Sequence, residues 1–123
     1  MIKEISSTQN DLIKEIIQLQ TKSKIRKKKG LFVIEGLREI TLSVTSGYVI
    51  QKLLFCEDII SREALDGLLE LVELKNIEMI RVSLKVYERI AHRKGTEGII
   101  SVSLFKDLKL KDLKLNKNPL ILV

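Results

Sequence analysis

The spacing of hydrophobic positions changes repeatedly along the chain, and each change marks an element. Leu12, Ile13, Ile16, Ile17 and Leu19 recur at helical intervals behind the polar cluster Ser6-Ser7-Thr8, which offers an N-cap and predicts a first helix. Residues 22–29 read as a second helix stopped at Gly30, with Ile25 as its sole apolar contact and Lys24 and Lys27 turned to solvent. A continuous apolar run at 31–34 predicts a buried strand, and 36–46 carries the spacing of a helix. The alternation then repeats. Strands are expected at 49–56, 77–82 and 98–105, with a helix at 61–74 that places Leu65, Leu68, Leu69 and Val72 on one stripe, and a short helix from the cap Ser83 to Ile90. Strands separated by helices of this length predict an α/β domain: a three-layer α/β/α sandwich around a four-stranded, mixed or largely parallel sheet.

The pattern breaks after Phe105. Residues 106–118 are Lys-rich and repeat Lys-Asp-Leu-Lys-Leu twice, which reads as a charged connector because two Asp residues interrupt the positive run. Asn118-Pro119 then introduces Leu120-Ile121-Leu122-Val123. Four aliphatic residues with no following partner suit the opening strand of another domain better than the end of a soluble protein. The expected organisation is one domain over 1–105, a linker over 106–117 and, over 118–123, the first strand of a domain cut short.

Charge sharpens this picture. Lys22, Lys24, Arg26, Lys27, Lys28 and Lys29 stand together without an acidic residue, and the rest of the chain balances at sixteen basic against sixteen acidic side chains. The net charge of +6 therefore sits in one short segment. Such a patch concentrates a polyanion and releases its counterions, the electrostatic footprint of nucleic-acid binding, whereas a surface selected for solubility intersperses both signs. Aromatics make up only 4% of the chain and there is no Trp, so the core must be aliphatic and stacking platforms for splayed bases should be scarce. The lone Cys56 excludes an internal disulfide and multi-thiolate zinc, and His92 as the only histidine excludes a site of several imidazoles. With no signal peptide and no uncharged apolar run long enough for a bilayer, the expectation is a cytoplasmic protein with no membrane partner. No Gly-x-Gly-x-x-Gly or Gly-Lys-Ser/Thr stretch is present.

The order of these features resembles the substrate-binding domain of SpoU/TrmH-family RNA methyltransferases. The resemblance rests on an N-terminal helix preceded by Ser7 and Asn10, a basic helix containing Arg26, the run Gly30-Leu31-Phe32-Val33-Ile34-Glu35-Gly36, and the downstream Gly98-Ile99-Ile100-Ser101-Val102. It implies a fold similar to kink-turn-binding ribosomal proteins and a partner of structured RNA, rRNA foremost. It also implies that S-adenosylmethionine and the 2′-O-ribose transfer chemistry belong to a knotted domain beyond residue 123. This segment would then hold no cofactor, no metal and no catalytic residue, and the full-length protein would be a homodimer. A standalone ribosome- or kink-turn-associated RNA-binding protein is the alternative. A domain whose basic helix meets an acidic protein surface is a further one.

At single positions the resemblance matches Phe32, Glu35 and Gly36 to the end of the first strand. Phe32 is expected in the core, and Gly36 at a strand-to-helix turn that needs a permissive backbone. Glu35 has a structural role, either accepting N–H groups at the start of the next helix or pairing with Arg38 or Arg26. Arg26 either holds a phosphate through its bidentate fork or pairs with an internal carboxylate. Lys22, Lys24, Lys27, Lys28 and Lys29 are phosphate-contact candidates as point charges. A second basic turn contains Arg89, His92, Arg93 and Lys94 before Gly98, and its backbone N–H groups and cations suit a phosphate. The Glu97-Gly98 pair departs from the Gln-Gly common in the family.

Overall fold

The computed structural model describes residues 2–72, 77–92 and 97–105. They form β1 (Lys3–Ile5), α1 (Asp11–Thr21), α2 (Ser23–Lys29), β2 (Leu31–Glu35), α3 (Leu37–Thr45), β3 (Val49–Phe55), α4 (Arg62–Leu69), β4 (Glu78–Val82), α5 (Leu84–Ile90) and β5 (Ile99–Leu104). The sheet has the order β1-β4-β3-β5-β2. β1 and β3 run parallel to β4, while β5 runs antiparallel to both β3 and β2.

The expected four-stranded sheet is thus a mixed sheet of five. The added strand is β1, whose three residues pair Lys3 with Ile80 and Ile5 with Val82. Only Ile5 of the three is buried, so β1 leaves no apolar pattern long enough to read. The first cap also differs from expectation. Asn10 rather than the Ser6–Thr8 cluster caps α1, its side-chain oxygen accepting the Leu12 N–H at 2.8 Å, while Ser7 Oγ accepts the Gln9 N–H in the preceding turn. Ser61 and Ser83 cap α4 and α5 in the same way. α4 ends at Leu69, five residues before the sequence pattern would have stopped it.

Side-chain alternation divides the core in two. On one face of the sheet Ile13, Ile16 and Leu19 of α1 and Val86, Tyr87 and Ile90 of α5 pack on Leu54, Ile80, Ile100 and Val102. On the other, Ile40 of α3 and Leu65 and Leu68 of α4 pack on Ile50, Leu53, Phe55 and Ile99. β5 is central and buried on both faces, which is why residues 99–102 form a continuous rather than an alternating apolar signal, broken only by Ser101. Ser101 and Ser103 are fully buried and satisfy each other, their hydroxyl oxygens 3.1 Å apart. The expected linker over 106–117 and strand over 118–123 lie outside the described residues.

Candidate nucleic-acid interface

α2 is the short helix that the charge pattern singled out. None of its residues is buried, and Ile25, half-buried against the α1 side of the core, is its apolar anchor. Gly30 ends it in the left-handed conformation (φ 70°), its N–H donating to Arg26 O at 2.8 Å. Cations in the last turn of a helix meet its carbonyl end favourably, and here Arg26, Lys27, Lys28 and Lys29 all occupy that turn.

The six basic residues do not behave alike. Lys22, Lys24, Lys27 and Lys28 are exposed, and among the described residues none has a carboxylate within ion-pair distance. Lys29 is paired with Glu15 of α1 at 3.0 Å, so part of its charge is answered internally. Arg26 is half-buried and donates Nη1–H to Leu19 O at 2.7 Å. That carbonyl belongs to the last turn of α1, where intrahelical donors run out, so Arg26 closes the end of one helix from the next. Of the two roles expected for Arg26, the internal carboxylate pair is not found among the described residues; its intramolecular partner is a backbone carbonyl.

Arg26 lines a cavity of about 290 Å³ together with Gln20, Phe32, Val33, Glu35 and His92. Glu35 reaches this cavity because strand alternation puts it on the same face as Leu31 and Val33, which belong to the α1/α5 side of the core. There it accepts the His92 backbone N–H at 2.8 Å. The expected contact with the start of α3 is made by another carboxylate. Glu97 Oε1 accepts the Leu37 N–H at 2.7 Å, sixty residues away in sequence. Sequence reasoning missed Glu97 because α3 lies on the opposite layer from the Glu35 side chain, and only the fold brings the loop before β5 to that helix.

The remaining motif positions are structural. Gly36 has φ 102° and occupies the N-cap of α3, its N–H donating to Ile99 O at 3.0 Å. Gly98 has φ 80°, and a Cβ there would stand 2.7 Å from Ile59 Cβ and 2.8 Å from Ile60 N. Its N–H donates to the Tyr87 hydroxyl at 3.1 Å and its carbonyl accepts from Cys56 N at 2.9 Å, so α5, β5 and the turn after β3 converge on this one residue. Phe32 is a correction: it is half-buried rather than a core side chain, stacked on Phe105 with ring centroids 5.3 Å apart and planes at 11°, and met edge-on by Tyr48 at 5.4 Å. Arg93 and Lys94 lie outside the described residues. His92 is exposed.

Among the described residues no group of His, Cys, Asp and Glu is placed to hold a metal ion, and no helix is long and apolar enough to cross a membrane. Burial raises the Cys56 thiol pKa, as expected for a core thiol rather than a nucleophile.

A lysine-rich helix exposed on the surface of the domain suits contact with a polyanion. Residues 10–101 match the family model of the MRM3-like substrate binding domain. The chain belongs to that family. No curated protein matches the sequence. Among solved structures, the MRM3-like domain is similar to a crystal structure of an RNA 2′-O ribose methyltransferase, with 26% identity and a TM-score of 0.71 over 85% of this chain and 38% of that one. It is also similar to an rRNA methyltransferase from Sinorhizobium meliloti (21% identity, TM-score 0.67, 85% of this chain and 38% of that one). A third likeness is to the SpoU methyltransferase AviRb from Streptomyces viridochromogenes in complex with AdoMet (20% identity, TM-score 0.67, 78% and 36%). The MRM3-like domain thus spans well under half the length of these structures. The resemblance read from residues 7–102 and the α/β architecture both agree with these matches.

Proposed function

We propose that the MRM3-like domain docks structured RNA for an AdoMet-dependent RNA 2′-O-ribose methyltransferase. The observation that carries this reading is α2. A substrate-binding domain presents Lys24, Lys27 and Lys28 to solvent on a helix with no acidic residue, with Lys22 exposed at its N-cap. The likeness to the RNA 2′-O ribose methyltransferase supports the reaction, and the AdoMet complex of AviRb supports the cofactor. The RNA we carry over is ribosomal, from the Sinorhizobium meliloti enzyme. The proposed setting is the cytoplasm, and the whole protein is proposed to be a homodimer whose cofactor and catalytic residues are not supplied by this domain.

The charge arrangement sets the physics of docking. Exposed lysines act as point charges that attract phosphates and release counterions, giving affinity and on-rate with little sequence preference. Direct base readout by these side chains is not required for the domain to position a substrate. RNA titrations at several salt concentrations, with calorimetric titration of AdoMet beside them, test the reading. Expected are an RNA affinity that falls steeply with salt, by about 0.7–0.9 in log–log slope per neutralised phosphate, and no heat from AdoMet. Salt-indifferent RNA binding, or tight AdoMet binding, would overturn it.

A further inference from the structure

The chain has five aromatic residues, and three of them, Phe32, Tyr48 and Phe105, meet at the surface instead of in the core. They come from three places: the edge strand β2, the turn before β3, and the residue that follows β5. Alternation explains the meeting. Phe105 continues the side of β5 that carries Ile99, and Phe32 shares its side of β2 with Ile34, so both rings lie on the α3/α4 face near its rim. Phe32 covers one face of Phe105 in a near-parallel stack, yet Phe105 remains 42% exposed. A ring stacked on one side and this exposed leaves area for another flat partner.

The position of this cluster decides which partner. Gly30 ends the lysine helix, and its carbonyl accepts the Phe105 backbone N–H at 3.0 Å. Phe32 follows Gly30 by two residues. The aromatic ledge and α2, which bears five basic residues and no acidic one, are therefore fastened together at one glycine. A flat apolar surface joined through one glycine to a lysine-rich helix is complementary to a group that is flat, polarisable and attached to a phosphate.

We infer that Phe105, backed by Phe32 and steadied by Tyr48, is a stacking platform for an unpaired RNA base whose flanking phosphates are held by α2. This rests on the RNA-docking reading and adds to it a preference for single-stranded over fully paired segments, because bases inside a duplex have no free face. The expectation from composition that stacking platforms would be scarce is met in number but not in consequence: few aromatics are present, and the fold gathers most of them in one exposed place.

The test uses the 123-residue chain with two labelled RNAs, one a fully paired blunt-ended duplex without loops and one an unstructured oligouridine, against Phe105→Leu and Phe105→Tyr. Stacking of one base on an aromatic ring accounts for roughly a five- to hundredfold change in affinity. Phe105→Leu should weaken oligouridine binding by a factor in that range and leave the duplex within twofold, and Phe105→Tyr should restore it. In ¹H NMR of the wild type, ring-current shifts of the Phe105 protons should accompany addition of oligouridine but not of the duplex. Melting curves of both variants keep folding defects apart from binding. If the wild type binds the duplex but Phe105→Leu leaves oligouridine binding unchanged, the docking reading stands and the platform is wrong, the ring then serving as packing for other parts of this chain or a second copy. Equal losses on both RNAs also overturn it. If the wild type binds neither RNA, the docking reading fails and the platform with it.

Discussion

Gly30 and Gly98 share a left-handed backbone but not a setting, and the difference separates conformational strain from packing. Around Gly30 a Cβ would meet nothing within 4 Å, so Gly30→Ala should cost only the left-handed penalty, about 1 kcal/mol. At Gly98 the same penalty adds to a collision with the Ile59 side chain and the Ile60 backbone, and Gly98→Ala should cost roughly 2–5 kcal/mol. Denaturant melts of the two variants give the comparison directly, and near-equal losses would contradict the geometry. Arg26 is a second case that a single residue can decide. Because its recorded bond closes the end of α1, Arg26→Lys should cost about 1 kcal/mol of stability, a drop of a few degrees in melting temperature, with RNA affinity following only as far as folding does. Its basic character was legible in the sequence; its partner was not, since a backbone carbonyl seven residues away carries no residue signature.

Among the elements, β4 holds its neighbours by charge as well as by its ladder. Glu78 accepts from Lys3 of β1 at 2.6 Å and from Lys52 of β3 at 3.0 Å, and these two hydrogen bonds, Lys3 first, hold its carboxyl below the ordinary carboxylate range. A group whose folded pKa is depressed contributes stability that is complete above its unfolded value and is lost as pH falls through the folded one. Melting temperature should therefore decline on acidification through the carboxylate range, and Glu78→Gln should lower it at neutral pH while flattening that decline. An unchanged pH profile in the variant would show that solvent already screens the triad. For α2, replacing Lys24 and Lys27 together with Gln should leave the melt alone and reduce the salt slope of RNA binding by about 0.7–0.9 for each phosphate left without its lysine. The main helices and four of the five described strands were legible as periodicities long enough to show. β1 was not, because three residues with one buried side chain have no period. The carboxylate that caps α3 was equally hidden: Glu97 is distant in sequence, and Glu35 was the nearer, plausible choice.

For the whole molecule, the division of labour is between a charge-balanced body and a charged appendage. The core on both sheet faces, aliphatic but for Tyr87 on one and Phe55 on the other, was readable from apolar runs, whereas the aromatic ledge was not, since Phe32, Tyr48 and Phe105 are scattered in sequence and converge only through sheet order. That order also governs how the domain comes into being. β5 is the last of the described strands but lies inside the sheet, between β3 and β2, and among the described residues β2 has no other strand to pair with. From the moment residues 31–35 leave the ribosome until residues 100–104 follow, β2 is an unsatisfied edge, and the pairing that ends this closes a loop of some 65 residues. Joining of β2 to the rest of the sheet is therefore expected to be the slow step of folding, and it depends on the same strand whose first residue abuts Gly98 and whose far end carries Phe105. A nascent chain halted before β5 would expose both the β3 and β2 edges, which makes the timing of its final strand a matter of solubility as well as of shape.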